Sequence, residues 1–349
     1  MLVSTHRNLS RNVLENVMRL IAVLFATLVC AIAHAQTPIR FALDWRFEGP
    51  AAPYFVAIDK GYYKAEGLDV TIDPGSGSVE GINRVASGNY PFGFADINSL
   101  IKYRDNPKNA AIQAVMMVYD TPAFSVVALK KSGIAKPKDL EGKTLGAPAA
   151  DGAFAQWPIF VNANKIDAAK VKVENVGFPV REPMLAQGKV DAITGFWFSS
   201  FMNLKANGVK AEDITVLMMR DFGVDLYGNV ILVNPDFAKA NPKAVAGFVR
   251  ATLRGIQDTI KSPETAIDSL MKRNAIANRD VELERLKLAI ERNFVSPDVL
   301  KAGLGGVDMK RLERSIEQIG LTFTYTNKPK AADIFTEQYL PPRDQRLAK

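Results

Sequence analysis

The sequence is poor in the two side chains that most protein chemistry at neutral pH relies on. Its 349 residues hold 2 histidines and 1 cysteine. All three (His6, Cys30 and His34) fall within the first 35 positions, so residues 36–349 contain no imidazole and no thiol. For that stretch this excludes histidine general bases, Ser-His-Asp triads, thiol nucleophiles, the usual zinc ligand sets, histidine-ligated haem and disulfides. An enzyme built on it is left with carboxylates, lysines and tyrosines. The lack of disulfides is no handicap, because a chain of about 300 residues buries about three quarters of its unfolded surface.

Long apolar runs are scarce as well. One occupies residues 20–33, after Arg7, Arg11 and Arg19 and before Ala33-His34-Ala35. It is shorter than the ~20 residues a membrane-spanning helix needs. A basic start, a short apolar run and a small-x-small site together read as a secretory signal over residues 1–35, with Met18 an alternative start. Cys30 follows Thr27-Leu28-Val29 and lacks the small residue that precedes a lipoprotein cysteine, so a soluble periplasmic product is expected. Removing 35 residues leaves 349 − 35 = 314, with 44 − 3 = 41 basic and 37 − 1 = 36 acidic side chains. These charges are mixed along the chain without a basic run, which argues against a nucleic-acid partner.

What is present is alternation. Short apolar runs at 39–43, 68–72, 92–95, 115–118, 125–129, 143–146, 171–173, 192–194 and 215–218 predict strands. Helical patterns lie between them, at 53–60 (stopped by Gly61), 79–86, 98–103, 152–163, 182–187 and 199–206. Such alternation predicts α/β architecture with mainly parallel sheets and helices on both faces. After a last strand at 230–233 the chain turns helical. Asn241-Pro242, Ser262-Pro263 and Ser296-Pro297 are helix starts, with proline where its missing N–H costs nothing. Val245, Phe248, Val249, Ile256 and Ile260 share one helix face. The economical assembly is two lobes. Residues 36–128 and 229–345 form the first and residues 129–228 the second, with two chain crossings as a hinge near 129 and 226–230 and a cleft between the lobes.

Ligands in open parallel sheets sit beyond the carboxyl ends of the strands. Residues following the predicted strands include Asp44-Trp45, the 75–78 loop, Asp96 to Ser99, the 147–156 segment, Phe178 to Glu182 and Phe196-Trp197. Trp45, Trp157 and Trp197, the chain's three tryptophans, all fall in or beside this set. Their indoles would stack on a flat ligand, or pack the core. Tyr54 and Tyr227 are further walls or core aromatics. Asp44 and Asp96 would accept hydrogen bonds from ligand amino groups, or cap turns and helices. Ser76, Ser78 and Asn98 fit an anion at helix starts or simple caps. Asp151 caps the following helix or reaches the ligand. Arg181 would clamp a carboxylate or sulfonate if it faces the cleft, and otherwise pairs with Glu182. Gly75-x-Gly77 is no dinucleotide fingerprint, and no phosphate loop is present. No catalytic residue, metal site or cofactor is expected.

Gly61-Tyr62-Tyr63-Lys64-Ala65-Glu66-Gly67-Leu68-Asp69-Val70, with Phe41 to Trp45 before it, resembles ABC-transporter substrate-binding proteins of the sulfonate, nitrate and thiamine-precursor superfamily. Lys136 to Gly146 is similar to the entry of that family's second lobe, and Gly188-Lys189-Val190-Asp191-Ala192 to a later segment. The resemblance implies a periplasmic-binding-protein fold and an exported monomer that hands a small organic molecule to ABC permease and ATPase subunits. Leu43-Asp44-Trp45 resembles the thiamine-pyrimidine branch, which implies a pyrimidine precursor or another heteroaromatic or organic acid. That branch includes a hydroxymethylpyrimidine synthase, understood to use histidine, a cysteine-rich segment, iron and lysine-bound pyridoxal phosphate. This chain departs from the branch at Arg46-Phe47-Glu48-Gly49-Pro50, where an Asn-rich stretch ending in histidine is usual. The expectation is therefore a binding protein. A synthase-like enzyme and a ligand-binding sensor partner are the alternatives.

Overall fold

In a computed structural model of the chain, Met18 and residues 36–348 are described. The expected export signal, with His6, Cys30 and His34, lies outside them apart from Met18. Ten strands appear where the apolar runs predicted them. They are β1 (Thr37–Ala42), β2 (Leu68–Asp73), β3 (Phe92–Asp96), β4 (Gln113–Met117), β5 (Phe124–Leu129), β6 (Thr144–Ala147), β7 (Lys172–Asn175), β8 (Ala192–Phe196), β9 (Ile214–Met218) and β10 (Asn229–Val233). They build two sheets with the same pattern, β2-β1-β3-β10-β4 and β7-β6-β8-β5-β9. β3, β5 and β10 are buried at every position, as strands covered on both faces must be.

Both sheets are mixed rather than wholly parallel. β1 runs parallel to β3, and β6 runs parallel to β7 and β8. β10 is antiparallel to β3 and β4, and β5 is antiparallel to β8 and β9. These two strands are the first the chain lays down after each crossing. The expected lobe boundary at 129 needs correction. β5 pairs Val126 with Thr194 and with Leu217, so it belongs to the second sheet and the first crossing lies at residues 118–123. A largely apolar run fits the middle of either sheet, and only its hydrogen-bonding partners decide which.

The two crossings lie side by side. Gly228 N–H donates to Tyr119 O at 3.0 Å, and Val118 and Tyr119 N–H both donate to Asn229 O. A Cβ on residue 228 would stand 2.7 Å from Tyr119 O, so glycine permits this approach. Arg311, on the helix Met309–Gly320, donates through Nη2 to Asp120 O and Leu226 O, one carbonyl from each crossing.

The C-terminal helices cover the first sheet. Helix Pro242–Lys261 starts at the predicted Asn-Pro pair and stacks Phe248 on Phe92 with ring centroids 4.0 Å apart. It crosses helix Ala52–Asp59 at Gly255, where a Cβ would stand 2.3 Å from Pro53 O. Gly255→Ala is therefore expected to destabilise the chain by about 1–3 kcal/mol through overpacking. The fall should appear in a urea midpoint with the slope unchanged, and an unaltered midpoint would contradict this packing.

Candidate functional site

The carboxyl ends of β1 and β3 in the first lobe face β8 and the 148–152 loop of the second. After β1 the chain turns at Asp44, whose carbonyl accepts from Gly77 N–H at 2.7 Å. Gly75 lies so close to Leu43 that a Cβ there would be 2.1 Å from its carbonyl oxygen. This closeness brings Ser78 and Asp44 together. Between the lobes is a cavity of about 60 Å³, measured to the centres of water-sized spheres. That is several times the ~10–15 Å³ one water requires.

Six expected residues line this cavity: Asp44, Trp45, Tyr54, Ser78, Asp151 and Arg181. The other six do not. Ser76 is exposed, and its N–H donates to Glu80 Oε2. Asp96 caps the helix Ile97–Arg104, accepting from the N–H groups of Asn98 and Ser99. Asn98 spends its side-chain amide on Asp96 Oδ1 and Tyr227 O. Trp157 packs by Phe160 in the second lobe. Trp197 donates from Nε1 to Asn293 Oδ1 at 3.1 Å beneath the Arg292 guanidinium. Tyr227 accepts from Asp308 N–H through its hydroxyl and carries Arg311 over its ring. Ser76, Asp96 and Trp197 lie at strand ends, whereas Asn98 and Trp157 lie on helices and Tyr227 precedes β10, so a place near a strand end does not by itself put a side chain in the cavity.

Phe178 and Phe196 lay in the post-strand segments but were not singled out, while Glu48, Phe94, Tyr119, Phe198 and Ser199 were overlooked. Phe178 meets Trp45 edge to face at 4.8 Å. Glu48 shares the strand-to-helix loop with Asp44 and Trp45, and nothing in the local sequence marks it out.

Asp44 accepts from Ser78 Oγ at 2.8 Å and Asn229 Nδ2 at 2.7 Å, both on Oδ2. Burial nonetheless pushes its carboxyl up to about 7, with the Asp96 carboxylate adding to the rise. Burial also raises Asp151, against the pull of Arg181 and a hydrogen bond from Thr194. Arg181 is fully buried, and burial alone would favour its neutral form. Glu182 and Asp151 outweigh that and hold it charged. Its Nε and Nη2 donate to Glu182 Oε1 at 3.0 and 2.6 Å, while Nη1 has Asp151 Oδ2 at 3.8 Å. Burial pushes Glu48 up as well. The Arg285 guanidinium and a hydrogen bond from Ser199 overcome that and leave it below its usual range.

Two buried polar atoms at the cavity wall, Trp45 Nε1 and Tyr54 Oη, have no hydrogen-bond partner among the described residues. Trp45 Nε1 lies near the Glu48 carboxylate without an aligned bond to it. Buried polar atoms are ordinarily paired, so these two are free for a ligand. The charged lining residues are Asp44, Glu48 and Asp151 against Arg46 and Arg181, and Arg181 is already engaged by Glu182. Among the described residues no cluster of His, Cys, Asp or Glu could hold a metal ion.

Residues 50–266 match the NMT1/THI5-like family. The chain belongs to that family. Within this NMT1/THI5-like group, it is 27% identical over 288 residues to the formylaminopyrimidine-binding protein of Halalkalibacterium halodurans, covering 78% of this chain and 86% of that one. It is 28% identical over 296 residues to the riboflavin-binding protein RibY of Chloroflexus aurantiacus, covering 83% and 82%. Other relatives, at 23% and 26% identity, bear the name 4-amino-5-hydroxymethyl-2-methylpyrimidine phosphate synthase. The alkanesulfonate-binding protein SsuA of Xanthomonas axonopodis pv. citri superposes with a TM-score of 0.65 at 14% identity, covering 87% of this chain and all of that one. The fold is that of periplasmic binding proteins, as the 61–70 stretch implied.

Proposed function

We propose that this chain is an exported solute-binding protein that closes its two lobes on a small neutral heteroaromatic molecule and delivers it, unchanged, to an ABC permease and ATPase. One observation carries the reading. The cavity is walled by aromatic rings from both lobes, with Trp45 Nε1 and Tyr54 Oη unpartnered and carboxylates outnumbering guanidiniums. Rings stack on flat ligands, and free donors beside carboxylates suit a heterocycle carrying ring nitrogens and amino groups. An anion would meet the ionised Glu48 carboxylate while Arg181 is already committed to Glu182, so the sulfonate clamp considered for Arg181 is not favoured. Asp44, Trp45, Tyr54, Ser78, Asp151 and Arg181 are the proposed contacts.

The named binders among the relatives take formylaminopyrimidine and riboflavin, both flat nitrogen heterocycles, which supports the choice. Against a synthase-like enzyme stands the absence of any imidazole or thiol in residues 36–349. No described helix is long and apolar enough to cross a membrane; export on the 1–35 signal and action as a monomer are part of this proposal.

Native mass spectrometry of the chain purified from its own cells, followed by calorimetric titration, tests this. The expected result is a bound small heterocycle with micromolar or tighter affinity, about −8 kcal/mol or stronger. An alkanesulfonate should bind at least ~100-fold more weakly. The opposite order, or conversion of the bound compound, would refute the proposal.

A further inference from the structure

Among the described residues, Glu48 is the one cavity-lining carboxylate that also ties the two lobes together. It sits in the loop between β1 and helix Ala52–Asp59, in the first lobe. Its Oε2 accepts from Ser199 Oγ at 2.7 Å, on the second-lobe helix Trp197–Ala206. The same oxygen is in ion-pair contact with Arg285 Nη1, on the C-terminal helix Arg279–Ala289. Arg285 in turn donates from Nη2 to Asn203 Oδ1 at 3.0 Å, again on the second-lobe helix, and lies 3.4 Å from Glu282. Glu282 Oε2 accepts from Gly49 N–H at 2.6 Å, which holds the Glu48 loop from behind. All of Glu48, Ser199, Glu282 and Arg285 are buried. Both contacts to Glu48 use Oε2, and Glu48 lines the cavity together with Trp45, whose N–H is unpartnered.

We propose that Glu48 determines ligand specificity and couples recognition to closure. Its Oε1 accepts a hydrogen bond from a ring amino group while Trp45 Nε1 donates to the adjacent ring nitrogen, and its Oε2 locks the second lobe through Ser199. This rests on the ring-binding reading above. An acceptor beside a donor is complementary to an aminopyrimidine edge, where an amino N–H lies beside an unprotonated ring nitrogen. A 4-oxo ring presents the reverse order, a carbonyl facing a buried carboxylate and a ring N–H facing an indole N–H. A site built for one polar pattern rejects the reversed one strongly, because its buried groups are left unpaired. Ser199, Arg285 and Asn203 are positioning residues: they fix Oε2 and so aim Oε1.

The experiment has two arms. In the first, 4-amino-2-methylpyrimidine and 4-oxo-2-methylpyrimidine are titrated calorimetrically into the wild type, Glu48→Gln and Ser199→Ala. The wild type is expected to prefer the amino ring by at least ~100-fold. Glu48→Gln should erase or invert that preference, because a side-chain amide can turn its N–H toward the carbonyl. Ser199→Ala should weaken both rings by a similar factor and keep the preference, since Arg285 still holds Oε2 while one bond between the lobes is lost. A Glu48→Gln variant that keeps the wild-type preference overturns the specificity role. A wild type that binds neither ring sinks the ring-binding reading instead.

The second arm needs no ligand. Thermal midpoints are compared for Glu48→Gln, Ser199→Ala and the double variant. Groups in contact are non-additive, so the double variant should lose less than the sum of the single losses, by about 2 °C or more. Strict additivity would mean that the bond between the lobes does not form, and would overturn the coupling.

Discussion

Trp45→Ala is expected to weaken ring binding by at least ~100-fold, while Trp197→Ala leaves the affinity within about threefold and lowers stability instead. Both tryptophans follow a strand end, and by sequence they are equivalent candidates. Their environments separate them. Trp45 is half-buried against Phe178, its ring lines the cavity and its Nε1 has no partner. Loss of an aromatic wall that also donates a hydrogen bond is a hot-spot effect, typically 2 kcal/mol or more. Trp197 is 5% exposed, with its N–H already given to Asn293. Truncating a buried tryptophan leaves a large hole and costs about 3–5 kcal/mol of stability. Calorimetric titration with the ligand recovered from cells, paired with urea unfolding, reads both quantities. Equal binding losses in the two variants would return Trp197 to the site and refute the placement.

Raising the pH from 5 to 8 should destabilise the chain, and Asp44→Asn should remove much of that loss. Asp44 has an ordinary pKa of 3.8 when exposed and is pushed up to about 7 by burial in the folded chain. A carboxyl raised on folding holds its proton more tightly in the native state. Its contribution is therefore fully present below about pH 4 and is lost as pH rises through 7. A rise of about three units corresponds to at most roughly 4 kcal/mol. Asp96 and Asp151, also raised by burial, act in the same direction. Asp59 is held near 2 by Arg273, Lys272 and Ser269, which outweigh its burial, so it does not titrate in this window. The asparagine keeps an oxygen for Ser78 and Asn229 but has no proton to lose. Urea unfolding at pH 5, 6, 7 and 8 should show a flatter profile for the variant. Parallel profiles would mean that Asp44 is ionised throughout.

Strand ends were legible because apolar runs and glycine stops are local, and six of the twelve expected site residues line the cavity. Glu48 was not legible, because its meaning comes from Ser199 and Arg285, 151 and 237 residues further along the chain. Arg181 was legible as a candidate, but its direction was not: its charge is spent on the neighbouring Glu182. The lobe boundary failed at β5 for a similar reason, since the same largely apolar strand could have closed either sheet.

By itself the sequence determined the α/β alternation, the helical C-terminal third and the restriction of chemistry to groups other than imidazole and thiol, because each follows from composition or from periodicity over a few residues. The tertiary structure alone decided which lobe takes β5, which tryptophan faces the cleft and which carboxylates meet there. Those outcomes depend on contacts between residues far apart in the chain, and such contacts exist only once both sheets have formed and the lobes are apposed.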